Sequence, residues 1–185
     1  MNVRLTPLQG LLIIEPLLFG DHRGFFTETY HEARYRHAGI SCVFVQDNLS
    51  YSIKNTLRGL HFQIHHPQAK LVQVISGEVY DVAVDLRRNS ATFGKWEGVY
   101  LSSENMRQLF IPEGFAHGFC VLSDTAIFSY KCSDFYTPGD EGGVIWSDSE
   151  IGIPWPVTTP IISEKDQCYP LLKDLSPDRL PEIRG

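Results

Sequence analysis

The sequence has few cysteines, no long apolar run and no excess of basic residues. Its four cysteines lie far apart, without the Cys-x-x-Cys spacing of zinc or redox motifs, so we expect reduced thiols. The apolar run at residues 11–14 ends at Glu15-Pro16, far short of a signal-peptide core or a membrane span. Sixteen Lys and Arg against 22 Asp and Glu give a net charge of −6, which argues against a general nucleic-acid binder. The sequence therefore predicts a cytoplasmic protein with neither nucleic acid nor membrane as partner.

Short β-strands separated by turn residues dominate the pattern. The chain has 185 residues, 43% hydrophobic and 12% aromatic, which corresponds to one folded domain. Helical periodicity is confined to residues 28–38 and to a short turn at 102–106. We therefore expect an all-β sandwich or barrel with a few short peripheral helices, its core at about 40–135 and a C-terminal wrap at about 145–185. The predicted strands include residues 10–16, 70–75, 78–86, 109–112, 118–122 and 126–132.

One predicted strand, residues 78–86, has an apolar face and a polar face. The polar face carries Asp81 and Asp85, and polar strand faces are most often solvated. We therefore interpret both aspartates as facing water. The apolar face carries Tyr80, Val82, Val84 and Leu86.

Two segments resemble the two halves of the cupin signature, a double-stranded β-helix or small jelly-roll barrel. The first is Arg58-Gly-Leu-His-Phe-Gln63, followed by Lys70, and the second is Ile111-Pro-Glu-Gly-Phe-Ala-His-Gly-Phe119. Many cupins bind a metal through histidines at these places, but Gln63 occupies the position of the second histidine. An amide and a nearby ammonium disfavour a divalent metal. We predict no metal and no cofactor.

A cupin pocket with His, Lys and Tyr suits proton abstraction next to a carbonyl. A neutral imidazole is a competent base near pH 7. A lysine ammonium in a dry barrel stabilises a developing oxyanion. A tyrosine on the opposite side can return the proton, and removal on one face with return on the other inverts a carbon centre.

The chain as a whole resembles the dTDP-4-dehydrorhamnose 3,5-epimerase family. The matching stretches run from about residue 20 to residue 170 in the family's order. They are Asp21-His-Arg-Gly-Phe25, Phe44-Val-Gln-Asp-Asn48, Leu57-Arg-Gly-Leu-His-Phe-Gln63, Lys70-Leu-Val72, Asp81-Val-Ala-Val-Asp-Leu-Arg87, Ser90-x-Thr92-Phe-Gly94, 111–119, Trp146-x-Asp148, Ile151-x-Ile153-x-Trp155-Pro156 and Ser163-Glu-Lys-Asp166.

This resemblance implies a role for individual residues. His61 would be the base, Asp166 would hold it, Lys70 would stabilise the enolate oxygen and Tyr130 would donate the proton. Tyr136 would stack on the thymine. The remaining positions that match substrate contacts of the family are Arg23, Glu28, Gln46, Asp47, Asn48, Arg58, His117, Glu141 and Lys165.

The implied reaction is epimerisation of dTDP-4-dehydro-6-deoxy-D-glucose at C3 and C5 to dTDP-4-dehydro-L-rhamnose, in dTDP-L-rhamnose biosynthesis. Three alternatives stay open: an epimerase of the same family acting at C3 only, a cupin that merely binds a sugar nucleotide, and a metal-dependent cupin oxygenase or isomerase. The family also implies a homodimer with an exchanged N-terminal strand, for which residues 11–14 are the expected crossing segment. Arg23 or Glu28 would then serve the neighbouring site.

Overall fold

Short antiparallel strands are the dominant regular structure of residues 1–181, the part of the chain that this computed structural model describes. The same residues contain two α-helices, α1 (Glu32–His37) and α2 (Glu164–Gln167), and 3-10 turns at Leu172–Asp174 and Pro177–Arg179. The prediction of an all-β fold with a few short helices is confirmed. The strands β1 to β13 are Asn2–Leu5, Leu12–Glu15, Leu18–Asp21, Gly24–Thr27, Gln46–Ile53, Leu57–Gln63, Lys70–Ser76, Glu78–Asp85, Trp96–Ser102, Gln108–Ile111, Phe115–Val121, Thr125–Cys132 and Glu141–Gly143.

The strands form two facing sheets and one separate hairpin. The first sheet has six strands in the order β1-β2-β10-β7-β12-β5, and the second has five in the order β13-β6-β11-β8-β9. Strands β3 and β4 pair with each other as the hairpin. Because the two sheets enclose one interior, the result is the cupin-like barrel that the sequence predicts.

The interior between the sheets is apolar at its centre. Val72 and Phe128 of the six-stranded sheet pack with Val79, Ala83 and Phe119 of the five-stranded sheet. All five side chains are at least 95% buried. Burial of each larger side chain stabilises the fold by about 1.5–3 kcal/mol, so this cluster holds the two sheets at a fixed spacing.

Strand β8 is buried on both faces, which corrects the interpretation of its aspartates. Its apolar face packs under the C-terminal segment, where Trp155 and Leu172 lie against it. Its other face is the barrel interior, and Asp81 and Asp85 are both 0% exposed. The prediction that these carboxylates face water is therefore wrong.

The N-terminal apolar segment is part of the chain's own sheet. Strand β2 pairs with β1 on one side and with β10 on the other. Leu11 and Ile14 are fully buried. Residues 11–14 are therefore not the exposed crossing strand that we expected from the sequence.

Helix predictions hold only in part. Of residues 28–38, only Glu32–His37 are helical, anchored by the buried Tyr35, whose hydroxyl donates to Gln108 Oε1 (2.7 Å). The predicted helical turn at 102–106 is a tight turn in which the Asn105 N–H donates to Ser102 Oγ (3.0 Å). Neither α-helix in residues 1–181 has the length or apolar character to cross a membrane. All four cysteines are free thiols.

We expect Asp85→Asn to lower the free energy of unfolding at pH 7 by about 2 kcal/mol. Burial raises the pKa of Asp85, but hydrogen bonds from Arg87, Ser90 and Thr92 outweigh it and bring the pKa to about 2. Because the folded-state pKa lies below the ordinary value of 3.8, this stabilisation is complete above about pH 4 and is lost as the pH falls toward 2.

Urea unfolding at pH 7 and at pH 3 measures this difference. Asp124→Asn is the control, because the Asp124 side chain is 98% exposed and contacts only Lys54 at 3.7 Å among the ion pairs of the described residues. We expect that control to stay within about 0.5 kcal/mol of wild type. An Asp85 variant as stable as wild type at pH 7 would contradict the assignment.

Candidate active site

A β-bulge on β6 turns Arg58 and His61 toward the barrel interior. His61 lies opposite His117 and Arg58 lies opposite Phe119, so three residues on β6 span the distance of two on β11. Since His117 and Phe119 share a face, their partners share it too. Gly59 makes the bulge possible: its φ is +118°, and a Cβ there would lie 2.5 Å from the Gly118 Cα.

His61 and Asp166 form a hydrogen-bonded dyad. His61 Nε2 lies 2.8 Å from Asp166 Oδ1, and the Gly59 N–H donates to Asp166 Oδ2 (3.1 Å). Ser163 caps helix α2 by accepting from the Asp166 N–H at 3.1 Å. Burial raises the pKa of Asp166, but the hydrogen bond and charge of His61 and the Gly59 N–H lower it below its usual value. The carboxylate is therefore ionised and holds the imidazole with Nε2 turned toward it.

Lys70 and Tyr130 reach the same cavity from the six-stranded sheet. A cavity of about 250 Å³ is lined by His61, Lys70, Tyr130, Tyr136 and Glu141, among others. The register pairs Tyr130 with Val72 and Cys132 with Lys70, which places both functional side chains on the interior face. The cavity thus lies between a base on one sheet and a cation and a phenol on the other.

Burial changes the acid–base properties of these two groups in opposite directions. Desolvation lowers the pKa of Lys70, while Cys132, Asp81 and Glu141 act to raise it. Desolvation raises the pKa of Tyr130 above its ordinary value. Tyr130 is therefore a protonated phenol at neutral pH, and Lys70 gives up its proton more readily than an exposed lysine does.

The rim of the cavity is a hydrogen-bonded set of polar groups. The Tyr136 hydroxyl donates to Glu141 Oε2 (3.2 Å), and Lys165 pairs with the same carboxylate. Burial raises the pKa of Glu141, but its hydrogen bond to Lys165 lowers it below the usual range. Gln46 Oε1 accepts from the Tyr136 N–H at 2.9 Å, and Gln46 Nε2 donates to Asn48 Oδ1 at 3.0 Å. These contacts hold the Tyr136 ring at the entrance.

Gln63, at the position where many cupins have a metal-binding histidine, binds main-chain groups. Its amide nitrogen donates to the carbonyl oxygens of His66 (2.6 Å) and Phe135 (3.2 Å). Its amide oxygen accepts from the Thr137 N–H (2.7 Å). Gln63 therefore fixes the loop that carries Tyr136.

Several residues predicted to contact substrate do not line this cavity. Arg23 pairs with Asp21 on the exposed hairpin, and Glu28 pairs with Arg34 beside α1. Asp47 lies on the outer face of β5, where its carboxylate accepts from Lys131 Nζ at 2.9 Å.

Arg58 and His117 lie on the interior faces of their strands without lining the cavity. The Arg58 Nε donates to Ser52 Oγ at 3.0 Å. His117 is 92% buried, with Nε2 2.9 and 3.0 Å from the two oxygens of Asp81.

Sequence reasoning missed two residues that lie near the cavity or its lining. The sequence predicted that Asp81 faces water, whereas it forms a second imidazole–carboxylate pair with His117. Tyr169 is not among the predicted site residues. Its ring packs edge-on against His61 with 5.7 Å between centroids. Tyr169 lies beyond the end of α2, so no local pattern in the sequence indicates this contact.

Comparison with known proteins gives consistent matches over nearly the whole chain. The model of the family described as dTDP-4-dehydrorhamnose 3,5-epimerase matches residues 5–174. The dTDP-4-dehydrorhamnose 3,5-epimerase of Shigella flexneri is 56% identical over 168 residues, covering 90% of this chain and 93% of that protein. A more distant relative, the dTDP-4-dehydrorhamnose 3-epimerase of Streptomyces niveus, is 42% identical over 176 residues and covers 94% of this chain and 85% of that protein.

A solved structure matches at the level of the whole fold. It is the dTDP-6-deoxy-D-glucose-3,5-epimerase of Legionella pneumophila Philadelphia 1 in complex with dTDP-4-keto-L-rhamnose. Its TM-score is 0.95 at 48% sequence identity, and the match covers 100% of this chain and 99% of that one.

We expect Gly59→Ala to destabilise the protein by roughly 3 kcal/mol and to reduce turnover, because a Cβ there collides with β11 and displaces the N–H that binds Asp166. The matched control is Gly39→Ala. Gly39 also has a positive φ, +95°, but nothing lies within 4 Å of its added Cβ, so we expect a cost of about 1 kcal/mol and unchanged turnover. Thermal unfolding and initial rates measure both, and equal effects of the two variants would contradict this account of the bulge.

Proposed function

Since the chain belongs to the dTDP-4-dehydrorhamnose 3,5-epimerase family, we propose that His61 and Tyr130 carry out its reaction on opposite faces of the sugar ring, beside Lys70. The enzyme is an isomerase that converts dTDP-4-dehydro-6-deoxy-D-glucose to dTDP-4-dehydro-L-rhamnose in dTDP-L-rhamnose biosynthesis. The observation that supports the residue assignment is the cavity in which an imidazole, an ammonium and a phenol converge.

The base in this proposal is His61 Nδ1. Because Nε2 is hydrogen-bonded to the Asp166 carboxylate, the neutral ring carries its proton on Nε2 and its free lone pair on Nδ1. Nδ1 removes the proton from C3 or C5, both of which flank the C4 ketone. Asp166 then stabilises the imidazolium that forms, as carboxylates do behind catalytic histidines.

Lys70 and Tyr130 complete the reaction. As the proton leaves, negative charge collects on the C4 oxygen, and the Lys70 ammonium stabilises it in a low-dielectric interior. Tyr130, kept protonated by its burial, returns a proton to the opposite face of the same carbon. One enolate-stabilising group serves both carbons, because both are adjacent to the same carbonyl.

Binding of the nucleotide is assigned to the rim and the arginines. Arg58 suits the diphosphate through charge-assisted hydrogen bonds, and the Tyr136 ring suits stacking on the thymine. Asp47 faces outward, so we assign its substrate contact to the main chain. The other predicted contacts of the substrate with this chain are Gln46, Asn48, His117, Glu141 and Lys165.

We further propose that the protein is a homodimer in which the β3–β4 hairpin, rather than residues 11–14, crosses to the partner. Leu18, Phe19, Phe25 and Phe26 on this hairpin are 43–69% exposed, and exposed apolar patches of this kind mark interaction surfaces. In that arrangement Arg23, on the same hairpin, and Glu28, which follows it, serve the neighbouring site.

A cytoplasmic location fits this chemistry. The four free cysteines are typical of a reducing compartment. The net charge of −6 and the short helices of the described residues are in keeping with a small-molecule enzyme.

Epimerisation at C3 alone is the second candidate function. It is supported by the relative from Streptomyces niveus, which is named a 3-epimerase. Proton NMR in deuterated water separates the two, because each carbon that is deprotonated takes up deuterium. Label at C3 and C5 supports the first function, and label at C3 alone supports the second.

The same NMR assay tests the assigned residues. We expect His61→Asn to abolish exchange at every carbon, because no base remains. We expect Tyr130→Phe to retain exchange while losing inverted product, since only the return of the proton is affected. Lys70→Ala should slow exchange by roughly 10²–10³-fold, as loss of an oxyanion-stabilising group does. Full exchange in the His61 variant would show that another group is the base.

Mixed dimers test the crossing of the hairpin. When a His61→Asn chain and an Arg23→Ala chain form one dimer, both defects fall on one site if Arg23 crosses, and the other site is intact. We therefore expect activity well above that of either parent at low substrate concentration.

The control mixture combines His61→Asn with Tyr130→Phe. Both residues belong to one barrel, so every site of that mixed dimer carries a defect and no recovery is expected. Absence of recovery with the Arg23 chain as well would place Arg23 in its own chain's site. Light scattering establishes the dimer in each case.

A further inference from the structure

A second carboxylate–imidazole pair lies inside the barrel, beside the groups already assigned. Asp81 is 0% exposed on the interior face of β8, and its two carboxylate oxygens lie 2.9 and 3.0 Å from His117 Nε2. An ionised carboxylate removed from water costs several kcal/mol unless charges and hydrogen bonds compensate it. Its position inside the barrel therefore calls for a compensating charge nearby.

His117 is held from a second side by aromatic packing. Its ring stacks on Phe128 with 6.0 Å between centroids and an angle of 23°. Phe128 in turn packs against Tyr130, also at 6.0 Å. Because His117 lies opposite His61 in the register, Asp81 fixes a ring that neighbours His61 on one side and the packing partner of Tyr130 on the other.

Lys70 is an ammonium on the interior face of the opposite sheet, where it lines the cavity. The groups that act electrostatically on Lys70 come from three strands: Asp81 on β8, Cys132 on β12 and Glu141 on β13. Glu141 is already paired with Lys165 at the rim. Cys132 is a buried thiol, and desolvation is the largest influence on its pKa and raises it. Among the described groups acting on Lys70, Asp81 is therefore the buried negative charge that no lysine or arginine pairs with.

We propose that Asp81 is a positioning residue for the epimerisation, which orients the His117 imidazole and keeps the Lys70 ammonium charged beside the C4 oxygen. The proposal rests on the proposed function, since it assigns Asp81 a task in the same site. With Nε2 turned to Asp81, His117 presents Nδ1 as its free nitrogen. The negative charge of Asp81 offsets the desolvation that otherwise drives the proton from Lys70.

The pH dependence of kcat tests this proposal. Removing a negative neighbour makes an ammonium easier to deprotonate, so the basic limb of the profile should move to lower pH in Asp81→Asn, by roughly one unit or more. In Asp81→Glu, which keeps the charge, the limb should stay near that of wild type even if the rate falls. In a Lys70→Arg background the Asp81→Asn shift should disappear, because a guanidinium does not titrate in this range.

A direct titration gives the same information without turnover. Reductive methylation with ¹³C-formaldehyde labels lysines, and the signal absent from Lys70→Arg protein identifies Lys70. Its titration midpoint should fall in Asp81→Asn. Asp85→Asn is the matched control: Asp85 is equally buried on the same strand, but Arg87, Ser90 and Thr92 bind it, so the Lys70 midpoint should not move.

The outcomes separate this proposal from the proposed function. The proposal is overturned if folded Asp81→Asn protein shows the same basic limb of the kcat profile and the same Lys70 titration midpoint as wild type. It is also overturned if the shift of the basic limb persists in the Lys70→Arg background. If thermal denaturation shows that the Asp81→Asn protein is not folded, Asp81→Ser is used instead, because it removes the same charge with a smaller side chain. Failure of both to fold would overturn the proposal in favour of a purely structural carboxylate. If the wild-type protein shows no deuterium exchange, the proposed function itself is refuted.

Discussion

The Asp166 carboxylate joins helix α2 to strand β6, and the geometry of the site depends on it. One oxygen binds His61 Nε2 and the other accepts the Gly59 N–H. A buried carboxylate must have its lone pairs satisfied, so the bulge in β6, the orientation of the His61 ring and the short helix α2 are fixed together. Helix α2, only four residues long, is thereby held at the edge of the barrel by the group that it supplies. The orientation of the His61 ring therefore depends on the backbone of β6, since the Gly59 N–H fixes the carboxylate that binds the ring.

The functional groups are divided between the two sheets. His61 belongs to the five-stranded sheet, whereas Lys70 and Tyr130 belong to the six-stranded sheet. The distance between base and phenol is thus set by the apolar cluster that separates the sheets, in which Val72 and Phe128 meet Ala83 and Phe119. Sites built on strands with packed interiors are held more precisely than sites on loops. Tyr136, the residue assigned to the thymine, lies on a loop, and Gln63 restrains it.

The sequence predicted the all-β barrel and grouped His61, Lys70 and Tyr130, which line one cavity, and its failures have identifiable physical causes. Strand alternation shows that Asp81 and Asp85 share a face, but not whether that face meets water or another sheet. The bulge at Gly59 reverses the alternation on β6, so the common orientation of Arg58 and His61 does not follow from a period of two. Asp47 is a different case, because Gln46 and Asn48 flank it on a strand and its outward direction was predictable. The pairing of residues 11–14 within their own sheet depends on β10, nearly 100 residues away, and no local pattern shows it.

The three main-chain contacts of Gln63 also bear on how such a barrel can evolve. An amide offers two donor hydrogens and an acceptor oxygen at one end of the side chain, and here each partner is a peptide group in the loops around Thr137. An imidazole at this position has only two nitrogens, set on opposite sides of the ring, and could not replace all three bonds. Reversion to the ligand found in metal-binding cupins would therefore loosen the nucleotide loop before any ion was gained.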